Sequence, residues 1–130
     1  MNVAVQAPPL WQLLQHTGAA VQAVLAGKSL TAQLDAVPAA LRPGVQALSF
    51  QVMRQLGQAR ALRALLAPRK PSPAVDALLC SALALAWNEA EAPYPGHTLV
   101  SQAVEAARRQ RQTQAQAGFI NACQIGRAHV

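Results

Sequence analysis

The sequence predicts an all-α domain, a bundle of about six or seven helices. Three observations point there. Alanine and leucine dominate, glutamine is common, and these residues, with arginine, favour helices. Val, Ile, Tyr and Thr are too scattered to build several strands. Apolar residues recur at helical spacing between proline and glycine breaks. With 130 residues the chain suits one domain, and at 52% hydrophobic residues it can form an ordered core.

Pro8 and Pro9 precede a first helix expected over residues 10–26. Leu10, Leu14, Val21 and Leu25 share one face; Leu13, Thr17, Ala20 and Val24 lie beside it. Gly27 suits the position just past the last turn. Ser29 or Thr31 can cap a short second helix running towards Val37. Pro43, at a first helical position, opens a long third helix. Val45, Leu48, Val52, Leu56 and Ala59 form its apolar stripe. Beyond Gly57 the phase changes, because Leu62, Leu65 and Leu66 leave that stripe, and a kink or break is expected there. Pro68-Arg69-Lys70-Pro71 follows as a stiff basic loop.

Ser72-Pro73 is a strong helix start. The helix expected over residues 73–88 is apolar on nearly every side, through Val75, Leu78, Leu79, Leu83, Leu85 and Trp87. A helix without a polar face belongs at the centre of a bundle. Residues 89–96 read as a loop with two prolines. A helix over about 98–109 turns Leu99, Val100, Ala103, Val104 and Ala107 inward. A last helical stretch covers about 113–124, with Phe119, Ile120 and Cys123 apolar.

Charge is sparse but unbalanced. Eleven Lys and Arg face five Asp and Glu, a formal +6. Arginine, the commoner cation here, presents a flat, permanently charged fork suited to phosphate. A basic surface favours a polyanion partner. Solvated helix ends account for the same charge equally well. Two groups stand out: Arg60, Arg63, Arg69 and Lys70, then Arg108, Arg109 and Arg111. The sequence does not say whether they meet in space.

No arrangement of residues supports catalysis. Only Glu89 and Glu91 are close acids, at a spacing common for solvated charges. His16 and His97 have no Ser, Cys or Asp at a telling distance, and a lone His97 at a helix start reads as a cap or packing residue. Cys80 and Cys123 sit in apolar helical patterns without metal-ligand spacing, as buried reduced thiols of a cytoplasmic protein do. No metal site, Gly-rich phosphate loop, secretory signal or membrane segment is read.

Four stretches together resemble the NusB-like domain. Residues 23–30, Ala-Val-Leu-Ala-Gly-Lys-Ser-Leu, resemble the end of its first helix. Ser49-Phe50-Gln51-Val52-Met53-Arg54 resembles its Y-G-V-L-R stretch, with Gln51 in place of glycine. Residues 95–105 resemble P-A-H-A-A-V-N-E-A-V-E, with Ser101-Gln102 replacing Asn-Glu. Gly118-Phe119-Ile120-Asn121-Ala122 resembles G-F-V-N-A. The last two take the wording of the N-terminal domain of the ribosomal RNA small subunit methyltransferase B family. The resemblance covers residues 10–123 and implies a NusB-like domain over residues 1–124.

That resemblance implies a domain that binds 16S rRNA and positions it for cytosine-C5 methylation. It implies a monomer with no cofactor of its own. In the family, S-adenosylmethionine and two catalytic cysteines belong to a C-terminal Rossmann-like methyltransferase domain, absent from this chain, so Cys80 and Cys123 do not correspond to them. The fragment alone is expected to be inactive. The alternative within the resemblance is a NusB-type transcription antitermination factor that binds RNA and a ribosomal protein. After Cys123 the chain departs from the family. Ile125-Gly126-Arg127-Ala128-His129-Val130 is the translation of a common sequencing-library adapter, so residues 125–130 are expected to be a non-native tail.

Overall fold

Helix boundaries follow the proline, glycine and serine positions closely. The computed structural model describes residues 7–127. Within them the chain forms six α-helices, one 3₁₀ turn and no strand, the all-α bundle that the composition predicts.

Helix α1 spans Leu10–Leu25. It closes where Gly27 adopts a φ of 93°, a conformation that L side chains rarely take. The Lys28 N–H then donates to Ala23 O at 2.9 Å and the Gly27 N–H to Val24 O at 2.9 Å. Helix α2 is one short turn-and-a-half, Leu30–Asp35, capped by Ser29, whose Oγ accepts from the Ala32 N–H at 3.4 Å. The far end of α2 is tied down by Arg42. Its Nη2 donates to Asp35 O at 3.2 Å and Val37 O at 2.9 Å. This arginine serves the fold, not the surface.

Helix α3 spans Arg42–Leu66 without a break. The break that a change of phase near Gly57 could bring is absent: the helix runs through it. Glycine keeps its N–H, so the hydrogen-bond ladder survives at a cost of about 1 kcal/mol. Gly57 faces open space, with nothing within 4 Å of where a Cβ would be. The change of phase is met by exposure. Val45, Leu48, Val52 and Ala59 are buried, whereas Leu65 is 69% exposed.

Helix α4 spans Pro73–Leu85, and every residue from Val75 to Leu85 is buried. It packs against α1, α3, helix α5 (Gly96–Arg108) and helix α6 (Ala117–Gly126), as the central position predicted for it requires. It runs antiparallel to α3, since Arg63 near the end of α3 meets Asp76 near the start of α4. Gln51, earlier on α3, donates to Glu91 O beyond the end of α4. The helix stops short of the expected Asn88. The Asn88 side chain accepts from the Ala90 N–H at 3.1 Å, an Asx turn that competes with helix continuation. Trp87 therefore lies outside α4 and is 39% exposed.

Helix α5 begins at Gly96, slightly earlier than expected. The stretch expected to be helical from residue 113 opens as a 3₁₀ turn, Gln114–Gln116, before α6. Thr113 explains the delay. It is buried, and its Oγ1 donates to Ala107 O at 2.8 Å, which folds the chain back on the end of α5. Ile125 and Gly126 continue α6; Ala128, His129 and Val130 of the expected tail lie outside the described residues.

Candidate nucleic-acid interface

Two helix ends carry the basic residues. Basic side chains at helix C-termini also suit the helix dipole, so what each one touches decides its role. Arg63 is not a surface charge. Its Nε lies 2.9 Å from Asp76 Oδ1, an ion pair whose N–H is not aligned on the oxygen, and both side chains are largely buried. Its Nη1 donates to Ala67 O at 3.0 Å and closes α3. Arg63 joins two helices and is withdrawn from the set expected to meet phosphate. Arg60, one turn earlier, is exposed.

Arg69 and Lys70 are exposed between Pro68 and Pro71, which fix the course of the loop. They border a hollow of about 400 Å³, which Gln116 and Phe119 complete from the 3₁₀ turn and α6. Arg108 and Arg111 are exposed at the end of α5. Arg109 pairs with Glu105 at 2.6 Å and lies over the Trp11 ring, 4.2 Å from its centroid. Arg108 and Arg111 therefore border the start of the connection from α5 to α6, and Arg69 and Lys70 lie beside Gln116 at its end.

Acids do little to offset them. Of the five, Asp76 is paired with Arg63 and Glu105 with Arg109. Among the described residues Arg60, Arg69, Lys70, Arg108 and Arg111 make no ion pair. These exposed cations can attract anions and make charge-assisted hydrogen bonds.

A second hollow, of about 500 Å³, separates α5 from α6. His97, Ser101, Arg108 and Asn121 bring polar atoms to it, and Val100 and Val104 supply apolar wall. His97 is exposed there and caps nothing through its side chain. Trp11 is not legible in the sequence as a site residue: it acquires its neighbours only when distant helices pack, and no local spacing signals that.

The cysteines are chemically quiet. Burial pushes the Cys80 thiol up to about 12, helped by the Asp76 carboxylate, to which Cys80 Sγ donates at 3.6 Å. Burial also raises Cys123. A thiol held protonated is a poor nucleophile. An aromatic disulfide reagent near neutral pH should label neither thiol in the native protein and both in denaturant. Labelling of Cys80 at the rate of a free thiol would contradict its burial. The linkage has a definite sign. The raised value favours folding below pH 9, and that contribution disappears as pH climbs from 9.0 through about 12.

Among the described residues there is no cluster of three or more His, Cys, Asp and Glu side chains placed to hold a metal, and no helix long and apolar enough to cross a membrane. No protein-family model, curated protein or solved structure matches this chain.

Proposed function

We propose that this chain is the RNA-binding, substrate-positioning N-terminal domain of a 16S rRNA cytosine-C5 methyltransferase. On this reading S-adenosylmethionine and the reacting cysteines belong to a following catalytic domain, the domain's partner. Two kinds of support differ in reach. RNA binding draws on the exposed, unpaired cations bordering the α5–α6 connection, the observation that carries the proposal. The methyltransferase assignment draws on the resemblance of four sequence stretches alone.

The test is binding of a 16S rRNA fragment across a salt series. Each phosphate contact contributes about −0.9 on duplex, and about −0.7 on single strands, to the slope of log affinity against log salt. Arg69→Glu combined with Lys70→Glu should flatten that slope by about 1.4–1.8 and weaken binding to unrelated RNA sequences equally. Arg63→Lys should leave the slope unchanged, because that side chain faces Asp76. Binding that ignores salt would overturn the reading.

A further inference from the structure

Arg109 differs from its basic neighbours in being held at two points. Its Cζ lies over the Trp11 ring, and Glu105 fixes Nε from one helical turn earlier. Trp11 is itself anchored. Pro9 gives α1 no side-chain cap, so the Trp11 N–H would lack an acceptor in its own helix. Gln102 of α5 supplies one: its Oε1 accepts from Trp11 N at 3.0 Å. One turn on, Gln15 Nε2 donates to Ala106 O at 3.2 Å. Ring and guanidinium are therefore carried by two docked helices and not by a loop. The Arg109 side chain is still 52% exposed, and its terminal nitrogens make no hydrogen bond among the described residues.

We infer that Arg109 is a stacking platform for one unpaired RNA base, with Trp11 beneath it and Arg108 and Arg111 free to meet the flanking phosphates. A guanidinium plane stacks on bases as aromatic side chains do, and the ring beneath it adds cation–π support. Preorganisation is what separates this residue from a mobile surface arginine, since the plane is already oriented before RNA arrives. A duplex hides its base faces, so the ligand is single-stranded RNA. The inference rests on the RNA-binding reading and gives that reading a preferred substrate form.

The test uses the whole chain, an unpaired RNA, and the same RNA with abasic sites at its central positions. Arg109→Lys keeps the charge and removes the plane. It should weaken binding of the base-bearing RNA roughly tenfold, within the range for one stacked base, and leave the abasic RNA unaffected. Equal losses on both RNAs would make Arg109 a phosphate contact and overturn the platform, as would wild-type binding of both. Failure of the unaltered chain to bind either RNA at low salt would remove the RNA-binding reading itself. An unchanged melting temperature for the variant confirms that the fold is intact.

Discussion

Replacing Asp76 by alanine lowers the stability of the fold by about 3 kcal/mol. The pair that it breaks is buried: the side chains of Arg63 and Asp76 are 12% and 6% exposed. Removing one partner strands the other, and a lone buried charge costs roughly 3–5 kcal/mol. Three local features set the size of the loss. The Arg63 guanidinium is left facing the N-terminal turn of α4, whose dipole is positive. Cys80 loses the carboxylate that accepts from its thiol. Against these, Arg63 keeps Ala67 O, which holds the expected cost at the low end of the range. Urea unfolding measures it. Arg63→Met in the same background should recover most of the loss, because the uncompensated charge then disappears. A single variant within about 0.5 kcal/mol of the parent would show that Arg63 reaches water unaided.

The same pair shows where sequence reading stops. Ser72-Pro73, Pro43 and Gly27 mark helix ends through constraints written in one or two residues, and the structure honours them. The central place of α4 follows from an apolar run that no surface could tolerate. Two misread boundaries have local causes too. Asn88 favours an Asx turn over further helix, and Gly57 suggests a break although a glycine that keeps its N–H leaves the helical ladder intact. The candidate site is another matter. Arg60, Arg63, Arg69 and Lys70 look alike as a string, yet Arg63 turns inward because Asp76 sits on the facing helix. Arg109 looks like its neighbours until α1 brings Trp11 beneath it. Helix periodicity fixes which face a residue occupies. Which partner waits there depends on how helices pack, and with no pairing rule between arginine and a distant residue the sequence is silent.

Leu79→Ala should cost about 4 kcal/mol, in the upper part of the range of roughly 2–5 kcal/mol for leucine truncation in a core. Leu79 is fully buried on the helix that four others surround. The cost depends on whether neighbours move into the space vacated. Here they have little to move. Alanine supplies much of the core, at Ala77, Ala82, Ala84, Ala103, Ala106 and Ala107 among others, and a Cβ cannot swing into a cavity. Methionine and aromatic side chains, which adapt to gaps, are missing from the fully buried set; Met53, Trp11, Tyr94 and Phe119 only flank it. Filling the cavity therefore requires whole helices to shift, and α4 is held at its start by the Asp76–Arg63 pair. Leu65→Ala makes the contrast, because a leucine that is 69% exposed has little buried area to lose and should change stability by less than about 0.5 kcal/mol. A domain of this size has roughly 5–15 kcal/mol in hand, so the Leu79 variant should show a sharply lower urea midpoint. Equal midpoints for the two variants would mean that α4 is not the centre of the core.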